Sequence, residues 1–205
     1  MIIHGLPKST EINKQLPKKA IFDKFKPETA KRNLFDEQIS RLAIVAEINP
    51  KTVNISQGES VSAIFVIHVS LKTSAVSKEN IELLSKLIDQ NMLFILEYEG
   101  NARLAVYYSK KLFQTVPKPL DELEIKLSGR NLDLVWENIV ADIGDISVEE
   151  ERSLSEQIAV DDERVKLLAN IEWLEKLARN EKQPRKKLKY VEKIKNMKKE
   201  LELLV

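Results

Sequence analysis

The side chains of this sequence best suited to catalysis are carboxylates and a lysine on predicted strands. Glu97 and Glu99 lie two positions apart at a predicted strand end, and alternation along a strand puts both carboxylates on one face. Glu124 and Lys126 have the same spacing. Two carboxylates can hold Mg²⁺ while a lysine assists the attacking water, so these residues support the hypothesis of a Mg²⁺-dependent nuclease.

Other features of the sequence argue against a nuclease and leave it as the alternative function. Position 101 holds Asn where a lysine would continue the alternation of Glu97 and Glu99, and acid-x-lysine tripeptides arise by chance when 32% of residues are charged. His68 lies in an apolar run typical of a core strand, and His4 is too distant in sequence to complete a metal site by spacing. The chain has no cysteine, which excludes Cys-ligated zinc. No catalytic residue, metal or cofactor is therefore predicted.

Charge is segregated along the chain, although the net charge is only +1. Residues 1–33 are basic, residues 137–163 are acidic, and the tail from residue 176 is basic again. Segregation indicates contact between these segments or with an anionic partner, and DNA or RNA phosphates are the anionic partner considered. The candidate nucleic-acid contacts are clustered cations: Lys14, Lys18, Lys19, Arg185, Lys186 and Lys187.

The periodicity of the first two thirds predicts an α+β fold, a small mixed sheet flanked by helices. Strands are expected over residues 42–48, 62–71, 93–98 and 103–108. The second is nearly continuous in apolar residues, which favours a central strand covered on both faces. Prolines at positions 7, 17 and 27 can each open a helix, so helices are predicted over residues 9–16, 18–25 and 28–41. Two further helices are predicted, one after Ser77 and one over residues 131–143.

The tail has heptad spacing, which predicts a helical hairpin or a coiled coil. Pro184 is costly inside a helix and predicts a break between two helices. The candidate interface residues are the apolar positions of the two seams: Leu167, Ile171, Leu174, Tyr190, Ile194, Met197 and Leu201. These seams either pack on each other within the chain or meet a second copy or a partner protein. The predicted organisation is therefore a core domain over residues 1–146, an acidic linker over 147–162 and a helical tail over 163–205.

The sequence shows no signal peptide and no apolar stretch long enough to span a membrane. We therefore expect a cytoplasmic protein with no membrane association and no small-molecule cofactor.

Four phrases carry a resemblance that covers almost the whole chain. They are LPKSTEINKQLPKK, INPKTVNIS, IDQNMLFILEYEG and EKQPRKKL, in this order. Together they resemble an uncharacterised bacterial domain family whose genes often lie beside DNA methyltransferase and helicase genes of restriction-like or phage-defence loci. The resemblance implies an accessory role near DNA or a DNA-acting complex, and it transfers no catalytic residue.

Overall fold

The fold is a mixed α+β arrangement, as the sequence predicts. A computed structural model describes residues 5–149 and 152–204, and the chain divides into two compact units, residues 1–147 and 148–205. The strands of the first unit are β1 (Glu11–Gln15), β2 (Ile39–Ile48), β3 (Ile64–Leu71), β4 (Asn91–Tyr98), β5 (Asn101–Tyr108), β6 (Lys111–Gln114) and β7 (Lys118–Pro119). Its helices are α1 (Lys18–Phe25), α2 (Thr29–Gln38), α3 (Pro50–Val53), α4 (Lys78–Ser85) and α5 (Leu132–Gly144). The second unit holds α6 (Leu154–Asn180) and α7 (Pro184–Leu203).

The strands form one open sheet in the order β1-β2-β3-β4-β5-β6, and β7 pairs with the first residues of β5. Neighbouring strands are antiparallel except for β3 and β4, which are parallel. A parallel pair needs a crossover connection, and α4 lies in that connection. The four predicted strands correspond to β2, β3, β4 and β5 and are confirmed.

Helices cover the sheet on both faces, which explains why β3 and β4 are apolar almost throughout. On one face, α1, α2 and α4 contribute to a cluster with these strands: Ile21, Phe35, Ile67, Val69, Ile81, Leu84, Phe94 and Leu96. Helix α5 packs on β5 and β6 and buries residues spaced three and four apart: Leu132, Val135, Trp136, Ile139, Val140 and Ile143. The predicted strand over residues 62–71 is therefore central and covered, as its composition indicates.

The N-terminal segment differs from the predicted helix over residues 9–16. Lys8–Thr10 form a single 3₁₀ turn, and the chain continues as β1, antiparallel to β2. The Thr10 hydroxyl does not cap a helix, because it donates to the Pro7 carbonyl at 2.7 Å. Pairing with β1 satisfies backbone groups of β2 that would otherwise lie at an open edge, and this non-local pairing outweighs the local helix signal. The following helix, α1, is confirmed over Lys18–Phe25, whereas α2 stops at Gln38 because β2 begins at the next residue.

A carboxylate of α5 holds the loop that precedes β3. Asp133 accepts backbone N–H groups from Glu59 at 2.6 Å, Ser60 at 3.1 Å and Val61 at 2.8 Å. Gly58 permits this approach, because a Cβ there would lie 2.2 Å from Asp133 Oδ1. Desolvation alone would raise the pKa of the Asp133 carboxyl, but the three N–H donors together bring this pKa below its ordinary value of 3.8.

The second unit is a helical hairpin. Ser153 and Glu156 form a capping box that starts α6 inside the stretch predicted as an acidic linker. Pro184 lies in the first turn of α7, where a missing N–H costs little, so the predicted break is confirmed. Helices α6 and α7 pack against each other, and Lys198 Nζ lies 3.0 Å from Glu175 Oε1. The intramolecular alternative is therefore the one observed. Glu150 and Glu151 of the predicted linker, and His4, lie outside the described residues.

We expect the Asp133→Asn variant to unfold at a lower urea concentration than wild type at pH 7. An amide keeps one acceptor oxygen and loses the charge, so the three N–H groups are less well satisfied. The wild-type advantage is present above pH 3.8 and is lost as the pH falls through the lowered folded-state pKa, because the carboxyl then binds a proton. Urea midpoints at pH 7 and near pH 3 measure this difference. A difference that stays constant in acid would contradict the role given to the carboxylate.

The close approach at Gly58 gives a second prediction. The Gly58→Ala change should destabilise the wild type strongly, because the new Cβ overlaps the Asp133 carboxylate. In an Asp133→Ala background the same change should cost much less, since the overlapping oxygen is gone. A double-mutant cycle of unfolding free energies checks this expectation. Additive effects of the two changes would show that the carboxylate is not what limits position 58.

Candidate functional site

A titratable pair lies inside the sheet, near the carboxyl ends of its parallel strands. His68 of β3 is 8% exposed, and its Nε2 lies 2.8 Å from Oε2 of Glu97 on β4. The distance is that of a hydrogen bond, but the N–H direction falls outside the range of one. Burial, the larger effect, lowers the pKa of the imidazole below 6.5, and the Glu97 carboxylate opposes this only in part. Neutral His68 therefore lies beside a carboxylate at pH 7.

Alternation predicted that Glu97 and Glu99 lie on one strand face, but the structure does not place them there. Strand β4 ends at Tyr98, and Glu99 has φ 49° in the tight turn that leads to β5. The left-handed backbone at Glu99 stops the alternation that would have aligned the two carboxylates. Glu97 faces His68 instead.

Glu124 and Lys126, the other predicted catalytic residues, line a cleft of about 410 Å³ beside α5. Glu97 and Glu99 are not part of its lining. The charged residues around this cleft are of both signs: Lys118, Glu124, Lys126 and Asp142. Within residues 5–149 and 152–204, no group of three or more His, Cys, Asp or Glu side chains could hold a metal ion. The structure thus does not bring the four alternative catalytic residues together in one cleft.

The predicted N-terminal cation cluster is divided by the fold. The Lys18 ammonium lies 2.9 Å from Asp36 Oδ1 and also donates to the Ile39 carbonyl, so it already has its partners. Lys14 is exposed on β1 and Lys19 is exposed on α1. Lys18 ties α1 to the end of α2, a structural role, whereas phosphate contacts by Lys14 and Lys19 stay a prediction.

The cations of α7 have a different environment. Arg185, Lys186 and Lys187 are exposed in its first turn. Lys198 pairs with Glu175 of α6. Among residues 5–149 and 152–204, no carboxylate forms an ion pair with the other cations of this helix: Arg185, Lys186, Lys187, Lys189, Lys193, Lys195 and Lys199. The described ion pairs therefore do not support the alternative in which the acidic residues 137–163 neutralise these cations.

The predicted interface residues lie along the inner seam of the hairpin. On α6, Ile171 and Leu174 are buried and Leu167 is half-buried. On α7, the half-buried positions are the predicted ones: Tyr190, Ile194, Met197 and Leu201. These side chains therefore serve the packing of the two helices on each other.

Other apolar side chains of the hairpin remain at the surface, and sequence reasoning missed them. They are Val165, Leu168 and Trp173 on α6 and Leu188, Val191 and Leu203 on α7. Trp173 is 59% exposed, although aliphatic residues flank it in the sequence. Its position on the helix could have predicted this exposure. Trp173 precedes the seam residue Leu174 by one position and so points about 100° away from it.

The chain matches, over residues 5–201, a protein family described as a domain of unknown function (DUF4391), and it belongs to that family. Neither the curated proteins nor the solved structures contain a match to it. In the described residues, no helix has the length and apolar character needed to cross a membrane.

The buried imidazole predicts a pH dependence of stability. Because the pKa of His68 is lower in the folded state than its ordinary 6.5, the unfolded chain binds protons more readily. The free energy of unfolding should therefore fall as the pH is lowered through 6.5, and the His68→Gln variant should lose this part of the slope. Glu97→Gln should steepen the slope, since the carboxylate that favours the imidazolium is gone. Urea unfolding from pH 8 to pH 5 tests these three chains. Equal slopes in wild type and His68→Gln would refute the assignment.

Proposed function

We propose that this protein is a non-catalytic accessory protein of a bacterial DNA-acting system, of restriction-like or phage-defence type, and that α7 binds nucleic-acid phosphates. The observation that carries the proposal is the set of α7 cations that no described carboxylate neutralises. The family resemblance to proteins encoded beside methyltransferase and helicase genes supports the cellular setting.

The ion pairing of the two hairpin helices supports this role for α7. Two of the four cations of α6 have local partners, with Lys176 2.8 Å from Glu172 and Arg179 3.8 Å from Glu175. Helix α7 contains only three carboxylates, Glu192, Glu200 and Glu202, among its many cations. Like charges one turn apart destabilise an isolated helix, by about 0.2–0.5 kcal/mol per pair. An anionic partner would remove this repulsion, whereas water only screens it.

The spacing of the cations suits a row of phosphates. Arg185, Lys189 and Lys193 are four residues apart, which places them along one side of α7. At 1.5 Å per residue this row is about 12 Å long, and phosphates of one DNA strand follow each other every 3.4 Å of axis or so. The row can therefore meet several phosphates of one strand without reading base edges, which predicts binding with little sequence preference.

A partner protein is the second part of the proposal. Val165, Leu168 and Trp173 expose apolar surface on α6 that the seam with α7 does not use. Exposed apolar patches with polar surroundings are typical of protein interaction sites. We propose that this apolar surface contacts a partner protein of the same system or a second copy of the chain.

The alternative function, a Mg²⁺-dependent nuclease, receives less support from the geometry. Glu97 faces His68, Glu99 lies in a turn, and the rim of the cleft at Glu124 carries both charge signs. The carboxylate pair that the hypothesis needs at Glu97 and Glu99 is therefore not formed on one strand face, and Glu124 lies in a different cleft.

The salt dependence of DNA binding tests the proposal. We expect weak binding of duplex DNA, with log affinity falling linearly against log salt concentration. Each lost phosphate contact changes this slope by about 0.9. Replacing Arg185, Lys186 and Lys187 with glutamine should therefore flatten the slope by about two to three units if all three are in contact. Fluorescence anisotropy with two unrelated duplexes at several salt concentrations measures both slope and sequence preference.

A matched triple variant gives the control. Lys31, Lys51 and Arg130 are exposed cations of the first unit, and their replacement with glutamine removes the same charge. This variant should keep the wild-type slope apart from a small long-range effect, and both variants should melt near the wild-type temperature because exposed charges contribute little to stability. Equal loss in the two triple variants would reduce the effect to net charge, and undetectable binding at low salt would refute the phosphate-binding function of α7.

A further inference from the structure

A second cleft, of about 440 Å³, opens at the carboxyl ends of β3 and β4. Its walls include Leu71 at the end of β3, Leu96 and Tyr98 of β4, and Arg103 of β5. In sheets with helical crossovers, ligands bind outside the carboxyl ends of the parallel strands, where the connections diverge. Here the connection from β3 to α4 begins at this edge. The volume lies within the range of small-molecule sites, roughly 300–1,000 Å³.

Among residues 5–149 and 152–204, no carboxylate pairs with Arg103, the cation of this cleft. Its Nη2 donates to the Ser74 carbonyl at 3.1 Å, while its Nε is buried and has no acceptor within the described residues. In the part of the chain that the structure describes, no aspartate or glutamate lines the cleft. Burial lowers the pKa of Arg103, and no neighbouring carboxylate opposes that effect. Arginine nevertheless stays charged in proteins, so a partly buried guanidinium here lacks a counterion, an arrangement that costs free energy.

The surroundings of Arg103 differ from those of the cleft beside α5. There, Lys118 and Lys126 are accompanied by Glu124 and Asp142, so that site already balances its own charge. The carboxylate next to Tyr98 is Glu99, which raises the pKa of the phenol by accepting its hydrogen bond. Glu99 is thus engaged by a neighbour and lies outside the lining of the Arg103 cleft.

We propose that the Arg103 cleft binds a small organic anion. A carboxylate or phosphate group would accept hydrogen bonds from the guanidinium, whose planar fork matches either oxyanion. Ser74 and Asn101 line the same cleft and carry further donors. An apolar group attached to the anion would pack against Leu71 and Leu96. The site lies in the first unit and does not depend on the function proposed for α7.

The site is tested by titrating the full chain with defined probes. Binding is read from the Nε–Hε resonance of Arg103 in ¹⁵N NMR. The probes are phenyl phosphate, hexanoate, inorganic phosphate, acetate and the neutral hexanamide. We expect phenyl phosphate or hexanoate to shift the resonance until it saturates. Whichever of the two probes binds shows whether the site takes a phosphate or a carboxylate. The matching inorganic phosphate or acetate should bind about tenfold more weakly or worse, because it buries no apolar surface. Hexanamide should leave the resonance unchanged.

Variants connect the binding to the guanidinium, and their affinities are followed by the backbone amide resonances of Ser74 and Ala102, which line the cleft and are present in every variant. Arg103→Gln should weaken binding of the anionic probe about tenfold or more, because a charged hydrogen-bonding partner is lost. Arg103→Lys keeps the positive charge but loses the planar guanidinium fork, and it replaces the glutamine variant if that variant does not fold. Its affinity for the anionic probe should lie between those of wild type and Arg103→Gln. Arg130→Gln removes an exposed cation elsewhere and should bind as wild type. No shift with any anion, hexanamide binding as tightly as hexanoate, or equal weakening in Arg130→Gln would each overturn the proposal.

Discussion

The parallel pairing of β3 with β4 is the constraint on which the first unit depends. A parallel pair requires a crossover, and the crossover places α4 against one face of the sheet. Both strands are then apolar on both faces, as Val66 and Ile67 of β3 illustrate, so the opposite side of the sheet needs a cover of its own. Helix α5 packs on that side, and Asp133 fixes the loop that leads into β3. Antiparallel strands extend the sheet outward from this pair.

The elements of this centre could be predicted because their sequence alone restricts them. Long apolar runs bounded by turn residues predict β3 and β4, and helical spacing predicts α5. The edge strand β1 could not be predicted in this way. Its residues Glu11–Gln15 are mostly polar, and its conformation follows from pairing with β2, which local sequence does not encode. Pro7 before this strand and Pro17 after it both indicated helix starts, which was wrong for residues 9–16 and correct for α1.

The polar residues of the sheet show the same limit at the level of sites. His68 was predicted as a core histidine, but its contact with Glu97 depends on the parallel register that sets Ser70 opposite Glu97. Alternation predicted a Glu97–Glu99 pair, and the left-handed backbone at Glu99 and Gly100 in the hairpin turn removed it. The isolation of Arg103 depends equally on tertiary structure, since its partner carbonyl comes from the loop after β3. Sequence identifies such side chains as capable of chemistry, and only the assembled sheet decides their neighbours.

The hairpin was predictable in more detail because helical periodicity is local. The predicted seam residues are buried or half-buried on both helices. The short connection Glu181–Gln183 returns α7 onto α6 within one chain. Packing uses the apolar side of α7 and leaves its cations to solvent. The packing surface of α7 and the surface proposed to bind phosphates thus lie on different sides of one helix. For that reason, we expect charge-removing substitutions in its first turn to change the proposed binding without changing the fold, whereas substitutions at Ile194 or Met197 should change both.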